Sequence, residues 1–392
     1  MLNRRYLRIK AMQNIFAYLQ CRQSDYHLTL DLIREQFAPD LNSMEVQDPV
    51  KLEENRKAAS DLFIKSHEER RLQPTHGYTP EQASAASDAL SYYNKLVQQD
   101  FDHLRKSMVA EAEKIAGRYL LFLILLLELQ RFANRERETR LEKGRTSAAG
   151  TDEENWLNNR VLKILEQNKT LQTEAIRQNL NWREEQDFVR ELYRDVLQRD
   201  EAYQEYLKME QPDFEADQKI VLHVIKKIFF KHELVESFME RLDIYWSENR
   251  EVLKSMVQRT VKELTPESDS NVELAVLSVN WEDDREFFID LYKLTIQKEP
   301  EFEELIASKS KNWDVERLAL LDKIILMMAL CEMINFTSIP VKVTINEYIE
   351  LSKRYSTPKS KIFVNGILDV LSVELQEKGI IRKSGRGLID NK

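Results

Sequence analysis

Apolar residues recur at helical spacing along almost the whole of this chain, and no segment sustains the period-two alternation of a strand. The pattern predicts an all-α protein. With 8 glycines and 9 prolines in 392 residues, sharp turns are few, and the clearest breaks are Pro39, Asp48-Pro49, Gln73 to Pro80 and Ser147 to Asp152. A first helix is expected from about Leu2 to Gln20, with Met12, Ile15, Phe16 and Leu19 on one face. The stretch from Ala83 to Arg140 is expected to be one arm of a hairpin or a pair of helices interrupted near Gly117. Residues 142–151 (EKGRTSAAGT) read as a mobile connection. The last helix has Ser356 or Thr357 as candidate N-cap, Pro358 for its first turn and Gly379 to stop it. The basic tail 381–392, with Gly385-Arg386-Gly387, is expected to be disordered.

Chemistry-bearing clusters are scarce. Six histidines show no i, i+4 pair and no HExxH, and neither Cys21 nor Cys331 has a histidine nearby in sequence. There is no P-loop and no GxGxxG. The expectation is therefore no enzyme, no catalytic residue, no metal and no cofactor. Two cysteines without a CxxC pair suit a reducing cytoplasm. The basic start lacks an apolar stretch with a cleavage site, so no signal peptide is expected. The apolar run from Tyr119 to Leu127 is far short of the ~20 residues that span a bilayer, so it is expected to be buried, with no membrane partner.

The net charge of −9 conceals an uneven distribution. Residues 1–24 carry +5 and residues 339–392 carry +4, leaving −18 on residues 25–338. Two basic ends on an acidic body suit a local RNA contact, because phosphate attraction acts over a Debye length of ~8 Å in physiological salt. Arg4, Arg5 and Arg8 fall on the first two turns, where Arg5 and Arg8 share a face. Lys359, Lys361 and Phe363 add cations for a backbone and an aromatic on which a base can stack. The alternatives are a solvated helix end for the arginines and a core position for Phe363. An internal echo is also present: Trp182, Phe188, Leu192, Tyr193 and Tyr203 recur 99 residues later as Trp281, Phe287, Leu291, Tyr292 and Phe302. A duplicated bundle and a coincidence of aromatic core spacing both account for it.

The last third contains Asp322-Lys323 before an apolar helix ending Ala329-Leu330-Cys331-Glu332, then Pro340-Val341-Lys342-Val343-Thr344-Ile345-Asn346-Glu347 with Glu350-Leu351-Ser352-Lys353, then Phe363-Val364-Asn365-Gly366-Ile367-Leu368-Asp369. From Trp313 to about Leu375 this order resembles the C-terminal half of the NusB family of bacterial transcription antitermination factors. The start, Arg4, Arg5 and Arg8 followed by Ala11, Gln13, Ile15 and Phe16, resembles that family's first helix. The resemblance implies NusB-like helical bundles with a large additional helical region. It divides the chain into a first helix with a basic RNA-binding end (1–30), a helical insertion (31–270), a C-terminal helical domain (271–380) and the tail (381–392).

The implied function is to bind the boxA element of ribosomal RNA transcripts together with NusE, a ribosomal small-subunit protein, so that the RNA polymerase elongation complex resists termination. It places Phe16 at the position of an aromatic beside the RNA and Asp322 at the position that meets NusE. Two other readings stay open: a helical protein-binding adaptor, and an accessory RNA-binding domain for an rRNA-modifying enzyme. Asn346, Glu347, Asn365 and Gly366 are expected to be structural, Gly366 by permitting close helix packing. The chain departs from the family pattern at Met327, where an arginine is frequent, at Lys359, where an acid is frequent, and in the 250 or so residues between the two matching ends.

Overall fold

The computed structural model describes residues 2–40, 42, 44, 46–143, 153–309 and 319–391, residues 390 and 391 by their backbone alone. The break at 147–152, most of the connection 142–151, and residues 313–318 at the start of the C-terminal motif lie outside the described residues. Among the described residues every regular element is helical. In chain order these are α1 (Arg4–Gln36), α2 (Pro49–Ser66), α3 (Pro80–Glu142), α4 (Glu154–Leu157), α5 (Arg160–Gln167), α6 (Lys169–Arg177), α7 (Gln186–Glu191) and α8 (Glu201–Leu207). They continue as α9 (Phe214–His223), α10 (Glu233–Leu242), α11 (Trp246–Glu263), α12 (Trp281–Gln297), α13 (Glu299–Lys309), α14 (Leu320–Asn335), α15 (Val341–Tyr355) and α16 (Ser360–Glu377). No described helix is long and apolar enough to cross a membrane.

The starts of the helices follow their local chemistry. Asp48 accepts from the Val50 amide at 3.0 Å, with Pro49 at the first helical position of α2. Thr79 and Gln82 form a reciprocal capping box, amide to side chain in both directions, with Pro80 between them. Two boundaries differ from expectation. α1 continues well past Gln20, to Gln36, and α3 runs unbroken through Gly117. A mid-helix glycine costs about 1 kcal/mol against alanine, which packing of the neighbouring turns outweighs. Gly117 is used for proximity: a Cβ there would lie 2.8 Å from Gln178 Oε1.

Contacts divide the chain into two compact units that do not follow the boundaries expected at 30, 270 and 380. The first holds Met1–Tyr6 and Ala110–Asp284, and the second holds Leu7–Val109 and Arg285–Lys392. The segment 31–270, expected as one insertion, is thus shared between the two.

In the first unit the apolar run from Tyr119 to Leu127 is buried in all but Leu121, as its composition demands. Phe122 packs on Phe230, ring centroids 4.7 Å apart, and Phe230 stacks on Trp246 at 5.9 Å. Arg118 lies 3.0 Å from the buried Asp243, whose carboxylate also accepts from Asn249 Nδ2 and from the Tyr245 backbone amide. Trp182 is buried, donates from Nε1 to the Leu121 carbonyl at 3.1 Å and stacks on Phe188 at 5.6 Å.

In the second unit α14 is the central helix, buried from Ile324 to Met333 on every side. α13, α15 and α16 pack against it. Met327, one of the departures from the family pattern, is a core residue here at 1% exposure, so its identity alters packing and removes no surface contact. The echo of Trp182 begins at a half-buried Trp281 in the first unit, and its remaining members are buried in the second. Around Trp182 the corresponding helix is interrupted by a π-turn over Leu192–Val196, whereas α12 is regular throughout.

The tail is not disordered over its described length. Gly379 takes φ +65° to end α16, and residues 385–391 form a 3-10 turn against α15. The Ser384 amide donates to the Thr337 carbonyl at 3.0 Å, and Lys383 Nζ donates to the Phe336 carbonyl at 2.9 Å. Gly366, by contrast, has nothing within 4 Å of the place a Cβ would occupy, so it makes no close packing. Asn365 donates to Asp369 on the exposed face of the same helix and cross-links no helix ends.

Candidate nucleic-acid and partner interface

The five cations of the N-terminal 24 residues owe their positions to α1, and most of them are turned inward. Arg4, in the first unit, pairs with Asp283 and with Asp284 at 3.2 Å. Arg5 is exposed. In the second unit Arg8 is buried, and its guanidinium makes a two-point bond to Glu332, both contacts at 2.7 Å. Glu332 also accepts from Thr344 Oγ1 at 2.8 Å and from the Tyr348 hydroxyl at 3.2 Å, so its lone pairs are filled. Burial alone would lower the Arg8 pKa; the Glu332 charge and hydrogen bonds outweigh it and raise it. Burial, then Glu332, pushes the Tyr348 hydroxyl well up. The expectation that Arg8 meets an RNA phosphate is corrected here, because a guanidinium enclosed by Glu332, Phe287 and Tyr348 has no face open to a ligand.

Lys10 is buried as well. Arg22 makes a two-point bond to Glu299 at 2.6 and 2.9 Å, across 277 residues. Burial opposes the Glu299 charge, but Arg22 holds its carboxyl below the usual range. Three of the five cations counted on residues 1–24, Arg4, Arg8 and Arg22, are therefore paired with acids of the fold, Lys10 is buried and Arg5 is exposed.

At the other end the expected cations are exposed. Lys359 and Lys361 flank the start of α16, and Phe363 is half-buried in its first turn. Neither Ser356 nor Thr357 is the N-cap; the helix begins at Ser360 after Lys359. Both hydroxyls instead meet Ser360 Oγ, at 2.9 and 2.8 Å. Ser360 in turn donates to Asp322 Oδ2 at 2.6 Å.

That bond explains the second correction. Asp322, expected to face a protein partner, is buried at 7% exposure and anchors the first turn of α16 from within. Phe16 is 37% exposed on α1, at the edge of the face that buries Met12, Ile15 and Leu19.

Sequence reasoning missed a cavity of about 760 Å³ in the second unit, lined by Tyr18, Arg22, Tyr93, Phe101, Glu299 and Lys323 among others. Its residues come from five helices and the turn after α2, so no local spacing announces it. Among the described residues no group of three metal-ligating side chains is close enough to hold an ion.

The sequence profile of the NusB family matches residues 250–372. The transcription antitermination protein NusB of Chloroherpeton thalassium is 37% identical over 163 residues, covering 42% of this chain and 71% of that protein. That of Salinibacter ruber is 41% identical over 105 residues, covering 27% of this chain and 66% of the relative. A solved T. maritima NusB is 25% identical and covers 42% of this chain and 94% of its own, with a TM-score of 0.23, so nothing rests on that superposition.

Proposed function

The chain belongs to the NusB family, and from that premise we propose that it is an antitermination factor that binds a boxA-type RNA element together with NusE and keeps RNA polymerase elongating through ribosomal RNA operons. Its mechanism is binding and positioning, with no bond made or broken. The observation that carries the reading is the start of α16, inside the family-matched region, where Lys359 and Lys361 are exposed beside a half-buried Phe363. Cations for the backbone and an aromatic for a base are what a single-stranded RNA requires. Asp322 serves this surface indirectly, by holding Ser360 and hence the turn that presents both lysines. Arg5 on the first helix and the exposed ring of Phe16 are further RNA contacts, whereas Arg8 supports the fold. Lys359, standing where the family often has an acid, strengthens the phosphate contact.

The test is binding of a boxA-type RNA, with and without NusE, by fluorescence anisotropy over a salt series. Changing Arg5, Lys359 and Lys361 together to Ala should lower the slope of log K against log salt by about 2, at ~0.7 per lost phosphate contact. Helical circular dichroism should not change. Arg8→Ala should behave oppositely, losing about 3–5 kcal/mol of stability by stranding the buried Glu332 charge. An unchanged slope in the triple variant, or failure of NusE to bind the chain, would remove the proposal.

A further inference from the structure

The docked tail gathers charge that the sequence leaves scattered. Residues 378–389 contain Lys378, Arg382, Lys383 and Arg386 and no acid. Arg382 and Arg386 are exposed, as are the apolar side chains of Leu388 and Ile389. This stretch is seated on the turn between α14 and α15 by the Ser384 and Lys383 bonds already described, and by a Ser384 Oγ bond to Thr337 Oγ1 at 3.1 Å. The seat is tight: Gly387 is buried, and a Cβ on it would lie 2.1 Å from the Thr337 carbonyl oxygen. Only glycine fits there without moving backbone.

Position gives the cluster its meaning. The tail sits at the start of α15, while Lys359 and Lys361 follow the end of the same helix. α15 has 15 residues and so separates the two clusters by about 22 Å. Lys342, Lys353 and Arg354 are exposed along α15 between them.

We propose that residues 382–389, docked on the α14–α15 turn, form a second phosphate-binding surface for single-stranded RNA, which extends the contact at the start of α16 along α15. The inference rests on the RNA-binding reading above and adds a site to it. Arg382 and Arg386 engage backbone phosphates, and exposed Leu388 and Ile389 lie under bases. Docking matters because cations fixed in place lose less side-chain and backbone freedom on binding than cations on a loose tail.

The experiment uses the full chain and the same boxA-type RNA. Arg382→Ala with Arg386→Ala should lower the salt slope by about 1.4, so that between about 50 and about 200 mM salt the wild type loses roughly sevenfold more affinity than the variant. Gly387→Val keeps every charge but cannot seat the tail, and should weaken binding with helical content retained. If the wild type binds no RNA, the functional reading falls and this inference with it. If the wild type binds, the Arg5, Lys359 and Lys361 variant is weakened and the Arg382 and Arg386 variant is not, only the tail site is overturned. Wild-type affinity in Gly387→Val would equally overturn it, since a loose tail would then serve as well. Competition by polyglutamate as strong as that by RNA would assign the surface to acidic polypeptides instead.

Discussion

At the scale of single residues, the fates of the N-terminal arginines show what a linear sequence conceals. Arg4, Arg5 and Arg8 look alike as a basic helix start, yet one is paired at the surface, one is exposed and one is sealed in the core. The difference lies in Asp283, Asp284 and Glu332, hundreds of residues away, and no local pattern marks them as partners. Asp322 misleads for the same reason, since its hydroxyl donor is 38 residues on. Asp25 is a further case on α1. It is buried, its Oδ2 has no hydrogen-bond partner, and burial with nearby Asp100 pushes its carboxyl up to about 6. Folding therefore favours the protonated acid. That stabilisation is complete below the unfolded value near 4 and is lost as pH rises through about 6. Asp25→Asn should accordingly raise Tm at pH above about 7 and give no gain at pH about 4. Parallel melting curves of variant and wild type across that range would contradict the assignment.

At the scale of elements, the sequence was legible at several helix ends whose chemistry is local, but not at the start of α16, where Ser356 and Thr357 bond Ser360 and do not cap the helix. Asp48-Pro49, the Thr79 capping box and Gly379 each act within a turn of themselves, and each end is where its residues put it. α3 is the counter-example, because a glycine that breaks an isolated helix is held inside one whose flanking turns are buried. The aromatic echo is also an element-scale feature: Phe188, Leu192, Tyr193 and Tyr203 are core residues, as are Phe287, Leu291, Tyr292 and Phe302. Duplication remains our proposal for this pattern, with the π-turn at Leu192–Val196 as a later distortion of one copy. Trp182→Ala should cost about 3–5 kcal/mol, seen as a lower urea midpoint, because the indole is buried against Phe188 and Phe238. A midpoint equal to wild type would mean that this region is not a packed core.

At the scale of the whole molecule, spacing showed that nearly every helix buries a face but not against what. The motifs at the two ends were readable because α1 meets α14 through residues that both segments specify, Arg8 and Glu332. The division into units was not readable, since the connections at 37–48 and 67–79 look no different from a boundary. A practical consequence concerns residues 31–270. Their deletion removes Phe63, Tyr93 and Val97 from the core of the second unit, so the remaining chain should show weak near-ultraviolet dichroism and bind a hydrophobic dye. Native-like near-ultraviolet signal would show that the family-like ends fold without it. The same partition dictates an order of assembly on the ribosome. Residues 110–284 can close on the already exported Leu2–Tyr6 segment while the first half of the second unit still awaits its partners. At ~5–20 residues per second the roughly 300 residues from the end of α1 to the end of α14 take about 15–60 s, during which the buried face of α1 has no α14 to cover it. The unit that contains the first helix to be synthesised is thus the last to be completed, and its nascent apolar surface is the part of this protein most in need of a chaperone.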